Sequence, residues 1–518
     1  MLRTPHEKKR CAQGSDHCGR AQKGKTIGQA RCQRRQLPIT IVGRPMTVET
    51  DVVSLRNRLS AAGQAHVLRF FDQLAPSQQE KLVGQLAALD LDLISRLVES
   101  HVKKKPQVPL PADIQPVKPY PRHPGPQQAA LYARAEQRGW QLLREGRIGA
   151  LLVAGGQGTR LGYPGPKGEF PVTPVRRKPL FQVFAEQLLA FSREAGRPIP
   201  WYIMTSEATD EPTRNFFRRN AWFGYDPANI FFFRQGMMPA FSMSGELLLA
   251  DRDSLALSPD GHGGCISALH RSGALADMLA RGLEHLSYFQ VDNPLVYCID
   301  PLFLGLHDLT GSEMSSKTIP KSHPLEKVGN FVMADGVLRV IEYSDLPDEL
   351  AYAVDENSHL RFSAGSIAIH AIRVSFIERI GGAGGLQLPW HRAEKKVPYI
   401  DGSGRLIKPD KPNAVKLEQF VFDAIPLARN PIVYMTDRAE EFSPVKNAAG
   451  DDSPETCRRD QIRRAARWLR AAGVSIPGGD GEPEAVLEIS PLFAATPAQL
   501  RGRPLPSAVE RGAELYLE

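Results

Sequence analysis

The segment that most restricts the fold is Leu151-Leu152-Val153-Ala154-Gly155-Gly156-Gln157-Gly158-Thr159-Arg160-Leu161-Gly162, with Pro166-Lys167-Gly168 close behind. A short apolar run of the kind buried in a parallel sheet leads straight into a glycine-rich turn. Glycines let successive backbone N–H groups converge on phosphate oxygens with no Cβ in the way. Arg160 can fork onto a phosphate, and Lys167 adds a flexible point charge. Two familiar loops are excluded. A dinucleotide fingerprint needs a third glycine where Leu161 stands, and no G-x-x-x-x-G-K-[ST] string is present. A glycine cluster after a strand is often only a turn; the two cations tilt this one towards phosphate.

Around that segment the pattern alternates. Short apolar runs at Ala150–Ala154, Trp201–Thr205 and Ile230–Phe233 are separated by helical periodicity at Leu180–Ala195 and Thr209–Asn220. This predicts βαβ units and an α/β fold, a Rossmann-like arrangement with a mixed, mainly parallel sheet. Further strands are expected at Ser287–Val291, Leu295–Cys298, Gly329–Met333 and Leu338–Tyr343, the last two joined by the hairpin signal Ala334-Asp335-Gly336. Leucines and phenylalanines at helical spacing between 50 and 102 predict a helical amino-terminal region. Eight prolines between Pro106 and Pro126 follow as a semi-rigid connector. Ser453–Ala472 reads as a helix and Ala485–Ile489 as a strand. The expected organisation is a tail at 1–45, helices and connector at 46–147, a catalytic domain at 148–450 and a small carboxyl-terminal domain at 451–518.

The net charge of +8 suggests a polyanion partner until it is divided along the chain. Residues 1–45 hold eleven Lys or Arg against Glu7 and Asp16, a net +9, so the other 473 residues sum to −1. A nucleic-acid argument therefore applies to the tail alone, and no nucleic-acid partner is expected. The tail has few apolar residues and no signal-peptide core, so it is expected to be disordered. Met46 just precedes ordered-looking sequence, and we read it as the translation start. Cys11, Cys18 and Cys32 lack a C-x2-C pair and argue against a zinc site. Cys265, Cys298 and Cys457 follow no pairing pattern and read as reduced thiols of a cytoplasmic protein. No apolar run reaches 18 residues, so no membrane span is expected.

With these residues in hand, a resemblance is evident. A-G-G-x-G-T-R-L-G with a downstream P-K-G is similar to the signature of eukaryotic-type UDP-sugar pyrophosphorylases. The similarity continues in order through Phe233-Arg234-Gln235-Gly236-Met237-Met238-Pro239-Ala240, Pro259-Asp260-Gly261-His262-Gly263-Gly264 and Gln290-Val291-Asp292-Asn293. It runs on through Val340-Ile341-Glu342-Tyr343-Ser344, Lys408-Pro409-Asp410-Lys411-Pro412-Asn413 and Glu441-Phe442-Ser443-Pro444-Val445-Lys446-Asn447. The resemblance covers the chain from about Met46 onwards.

It implies a uridylyltransferase that joins UTP and a sugar 1-phosphate into a UDP-sugar and pyrophosphate. Positioning and charge neutralisation would carry such a phosphoryl-type transfer. By resemblance, Gly155, Gly156 and Gly158 form the nucleotide loop. Gln235 and Gly261 contact the uracil, whose edge suits an amide that both donates and accepts. Arg160, Lys167 and Lys416 face the phosphates, with Lys446 a weaker candidate. Asp292 ligates Mg2+ or holds the ribose, and Gly329 and Glu342 contact the hexose. The plain alternatives are a loop-capping amide for Gln235, an ordinary turn for Asp292-Asn293 and solvated surface for the lysines.

Two positions depart from the branch that acts on N-acetylglucosamine 1-phosphate. His262 stands where that branch has Asn, and Ser366 replaces Asn in its A-G-N-I segment. His262-Gly263 is closer to the H-G of pyrophosphorylases acting on glucose or broader hexose 1-phosphates. N-acetylglucosamine 1-phosphate is the expected acceptor, and glucose or galactose 1-phosphate is the alternative. A UDP-sugar-binding regulator without turnover is the rival from another class. Intact Arg160, Lys167 and Asp292 argue against it, because holding product alone needs no clamp on pyrophosphate.

Overall fold

A computed structural model describes residues 48–106, 111–381, 388–479 and 481–518. The basic segment 1–45, its three cysteines and the proposed start at Met46 lie outside the described residues. Residues 52–518 form one compact unit.

Its centre is a ten-stranded mixed sheet. The main path runs Ile114–Pro116, Gly329–Ala334, Ala364–Arg373, His285–Gln290, Ile148–Val153, Trp201–Thr205 and Ile230–Arg234. Four neighbours, 285–290, 148–153, 201–205 and 230–234, run parallel, so their carboxyl ends share one edge. Antiparallel strands extend the sheet beyond 285–290. The chain steps outward from 148–153 to 201–205 and 230–234, then returns to the other side of 148–153. That reversal is the topological switch point, where ligands of open α/β sheets lodge.

The sequence pattern explains the layers. The strand Ile148–Val153 is buried along nearly its whole length, as expected of a parallel strand covered on both faces. One face packs Phe181, Phe184, Leu188 and Phe191 of the helix Leu180–Ala195. The other packs Leu269, Met278 and Phe376 from helices on the opposite side. The Asp335-Gly336 turn has φ of 51° and 76°, the two left-handed residues of a type I′ hairpin.

One expected strand is absent. Leu295–Cys298 is fully buried but takes no part in the ladder. Side chains satisfy its backbone instead: Leu295 N–H donates to Asn293 Oδ1, Tyr297 N–H to Glu441 Oε1 and Cys298 N–H to Gln187 Oε1. A short apolar run shows burial; it does not show which group will take its hydrogen bonds.

The amino-terminal helices Val48–Ala61, Pro76–Ala87 and Leu91–Leu97 cover a second, three-stranded sheet of His391–Lys395, Ala414–Glu418 and Phe241–Ser242. Leu59, Leu82, Phe241, Val415 and Leu417 share that core. At the other end, the helix Pro454–Ala471 packs on the parallel strands Val486–Ile489 and Glu514–Leu517. These elements clasp residues 171–179, just downstream of the glycine turn. Glu488 accepts the N–H groups of Val175 and Arg176 (2.7 and 2.8 Å), and Arg458 and Gln461 donate to the carbonyls of Pro171 and Val172.

Candidate active site

The glycine turn leaves the sheet at the switch point and is held by its own main chain. Ala154 N–H still reaches Met204 O (2.8 Å), after which the chain doubles back. Gly158 N–H donates to Gly165 O (2.8 Å) and Lys167 N–H to Gly156 O (3.0 Å). Lys167 is thereby rooted in the turn itself. Space above Gly156 is open, whereas a Cβ at Gly158 would meet Tyr163 Cβ at 2.8 Å. Arg160 is exposed and Lys167 half-buried, and among the described residues neither side chain has a partner. Two cations left unpaired beside open backbone suit an anionic ligand.

Gln235 follows the strand Ile230–Arg234 and lies against Gly155, where an added Cβ would stand 2.8 Å from its Nε2. Its backbone N–H continues the ladder to Thr205 O (2.9 Å). The amide has no partner among the described residues, which removes the loop-capping reading. Asp260 N–H donates to Gly236 O (3.1 Å), setting Gly261 next to Gln235. Gly261 has φ +87°, and a Cβ there would lie 2.3 Å from Gln419 O, so no other residue fits without movement. Burial pushes the Asp260 carboxyl up to about 6, against the pull of Arg271.

Beyond this lip a cavity of about 190 Å3 opens, lined by Asp292, Gly329, Glu342, Ser366 and His262. Gly329 and Ser366 face each other across antiparallel strands, and a Cβ on Gly329 would come within 3.3 Å of Glu342 Oε1. Asp292 sits just past the strand His285–Gln290, as placed from sequence, with Gln290 beside it. All the predicted acceptor-side residues therefore share one wall system.

His262 and Phe422 line the cavity and are backed by a stack of rings. His262 lies over Phe420 (centroids 5.2 Å, 20°), and His391 stacks on the same Phe420 ring at 4.3 Å and 28°. His391 Nε2 pairs with Asp423 Oδ2 at 2.7 Å. Val421 N–H donates to His262 Nδ1 (3.1 Å), so that nitrogen is unprotonated and the ring proton sits on Nε2. Desolvation, then the neighbouring His391, pushes His262 down to about 4, which agrees with a neutral ring. Burial raises the Glu342 carboxyl above its ordinary value; His391 opposes this, while Asp345 and Asp423 add to it.

Arg160, Lys167, Lys416, Gln235 and the glycine turn do not line this cavity. Lys416 belongs to the strand Ala414–Glu418, whose Val415 and Leu417 face the helical core. Strand alternation turns Lys416 the other way, the side on which Glu418 Cβ approaches Gly261. Lys446 lines the cavity but is committed to Asp452 (3.2 Å). Three cavity residues carried no signal in the sequence reading: Lys327, exposed and without a partner among the described residues, Phe422, and Ala368, held at φ +54°. An isolated lysine and a lone alanine look like surface and filler. The run Phe420-Val421-Phe422 at least alternates in the way of residues sharing one face.

A family model described as UTP–glucose-1-phosphate uridylyltransferase matches residues 96–451. The chain belongs to that family. Among relatives, UDP-N-acetylhexosamine pyrophosphorylase-like protein 1 of Xenopus tropicalis is 38% identical over 472 residues, covering 85% of this chain and 92% of the relative. UDP-N-acetylglucosamine diphosphorylase 2 of Arabidopsis thaliana is 34% identical over 459 residues, covering 85% and 89%. The fold matches the crystal structure of the uridine diphosphate N-acetylglucosamine pyrophosphorylase from Trypanosoma brucei in complex with inhibitor. That comparison gives a TM-score of 0.74 at 24% identity, covering 92% of this chain and 99% of that one.

A divalent cation can be tested against the donors this member of the uridylyltransferase family presents. The Asp292 carboxylate is half-exposed at the cavity, and no side chain engages it among the described residues. No group of three or more His, Cys, Asp or Glu forms a cage among the described residues. One open carboxylate suits Mg2+, which keeps waters and takes phosphate oxygens; it does not suit a metal enclosed by protein. The residues fit the group.

Proposed function

We propose that this protein transfers uridylate from UTP to a hexose 1-phosphate, releasing pyrophosphate, with N-acetylglucosamine 1-phosphate as the acceptor. The observation that carries the reading is the adjacency of two differently built sites. A main-chain-locked glycine turn, with Arg160 and Lys167 unpaired among the described residues, and Asp292 leave the ends of neighbouring parallel strands, and Asp292 opens a cavity walled by Gly329, Glu342, Ser366 and His262. The names of the relatives support the N-acetylated acceptor.

In this reading the turn and Lys416 hold the triphosphate, with Gln235 and the Gly261 backbone against the uracil. The cavity aligns the sugar phosphate so that its oxygen attacks the α-phosphorus as the bond to the β-phosphate breaks. Arg160 and Lys167 neutralise charge on the departing pyrophosphate. Mg2+ held by Asp292 would supply further charge neutralisation on the phosphates. Glu342 accepts from sugar hydroxyls, and His262 offers one donor, Nε2–H.

That single donor favours a second reading, in which glucose or galactose 1-phosphate is accepted. An Asn at the same place both donates and accepts, and could read both ends of an acetamido group. A cytoplasmic location belongs to the same proposal, supported by three buried, unpaired cysteines. The test is pyrophosphate release from UTP and Mg2+ with N-acetylglucosamine, N-acetylgalactosamine, glucose and galactose 1-phosphates. Fastest turnover with an N-acetylated sugar is expected. Turnover with glucose or galactose alone would replace the acceptor, and no turnover with any would overturn the function.

A further inference from the structure

Lys317, on the strand Met314–Pro320, is wholly buried and takes no part in the site described above. Its ammonium donates to Asp300 Oδ2 (2.6 Å) and to Glu441 Oε1 and Oε2 (2.6 and 2.8 Å). The rings of Tyr297, Phe303 and Tyr434 surround it, with centroids 5.3–5.9 Å away. A buried ion pair gives little net stability compared with apolar residues of the same shape, so what it contributes is a fixed geometry.

That geometry leads to Asp292. Glu441 also accepts from Tyr297 N–H, and its own carbonyl accepts from Asn293 Nδ2 (2.6 Å). Asn293 Oδ1 in turn accepts from Ser443 N–H (3.2 Å), and Val445 N–H donates to Asp292 O (2.7 Å). Residues 292 and 293 are therefore tied at successive points to 441–445, whose first member is locked on Lys317. A second arm reaches the cavity wall. The register between 314–320 and 364–373 shifts between Ser316 and Thr318, across Lys317. The extra residues on the partner strand bulge at Ala368 and line the cavity.

We propose that Lys317, with Glu441 and Asp300, is a positioning residue that sets the Asp292 carboxylate for the metal–triphosphate. The proposal rests on the reading of Asp292 as a metal ligand. It predicts that loosening the cluster removes the metal's contribution to nucleotide binding while nucleotide binding itself survives.

The test is calorimetric affinity for Mn2+·UTP and for UTP in EDTA, measured on wild type, Asp292→Asn, Glu441→Gln and the double variant Lys317→Met with Glu441→Gln. The double variant removes one positive and one negative charge together and leaves Asp300 to the Arg122 guanidinium, so it keeps the test alive if Glu441→Gln alone misfolds. Thermal unfolding reports folding of each. The ratio of the two affinities should fall about tenfold in Asp292→Asn and in the cluster variants, as for other groups that orient metal ligands, with metal-free UTP affinity unchanged. A reduced ratio in Asp292→Asn with a wild-type ratio in folded cluster variants would overturn the proposal and leave Asp292 as the ligand. An unchanged ratio in Asp292→Asn would overturn the Asp292 reading and the proposal with it.

Discussion

The two halves of the cleft are made differently. On the nucleotide side the shape comes from main chain: Gly156, Gly158, Gly165 and Lys167 bond backbone to backbone, and the side chains of Arg160 and Lys167 have no partners among the described residues. On the acceptor side the shape comes from side chains packed on one another, with His262 on Phe420 and His391 tied to Asp423. A main-chain cradle holds phosphates through backbone groups and leaves no room for a side chain at Gly158, where a Cβ would meet Tyr163. A stack of rings acts through its side chains, so exchanging a member that lines the cavity, such as His262, changes what the wall offers a ligand. The main-chain half of the site should fix the reaction, and the side-chain half should fix the sugar.

Substitutions in the cradle's cations give the sharpest contrast. Arg160→Ala and Lys167→Ala should each lower kcat by about 100-fold or more, the scale for removing a group that meets developing charge. Both side chains are unpartnered, so unfolding temperatures should match wild type. A near-normal rate in both variants would dissolve the distinction between the halves.

His262→Asn tests the other half. It should shift the kcat/KM ratio between N-acetylglucosamine and glucose 1-phosphates by about tenfold, the range for gaining or losing one polar contact. The KM for UTP should hold. Movement of both constants together would mean that the ring supports the nucleotide lip as well.

A smaller effect comes from pH. Because burial raises the Glu342 carboxyl, it takes up a proton at higher pH than an ordinary carboxylate. Lowering the pH from neutral should therefore raise the acceptor KM several-fold before global acid effects appear. In Glu342→Gln that acid limb should vanish; persistence there would assign it to another group. Stability titrates separately. Burial opposes ionisation of Asp300, but Lys317 and Arg122 outweigh it and hold the carboxyl below its usual value. Its contribution is thus complete above the unfolded carboxylate range and is lost as pH falls through the folded value.

The smallest effect should touch neither half. Asp335→Ala alters a left-handed turn position at φ 51° and removes the Asp113 N–H bond to Oδ1 (3.1 Å). A loss of about 1 kcal/mol in chemical denaturation is expected, with kinetic constants unchanged.

Much of this contrast was legible in the sequence, though unevenly. The helix Leu180–Ala195 and strand Trp201–Thr205 fall where periodicity placed them, because local pattern and burial agree there. The glycine turn was legible because backbone requirements leave their mark on residue type. Leu295–Cys298 was misread because its hydrogen-bond partners, Gln187 and Glu441, are 111 and 144 residues away in sequence. The same distance hid the His391 stack, Lys327 and the Lys317 cluster. Each is an ordinary residue whose meaning appears only when remote segments meet. Ser366 and His262 could be located in order along the chain, but not the tautomer or the wall they share.

The clasp on residues 171–179 makes the support of the glycine turn a long-range affair. Glu488 lies on a strand that is completed by pairing with Glu514–Leu517, so the hairpin behind the glycine turn is anchored by residues more than 300 positions further along the chain. Breaking the pairing of Val486–Ile489 with Glu514–Leu517 should therefore loosen the support of the glycine turn without altering any residue of the turn itself.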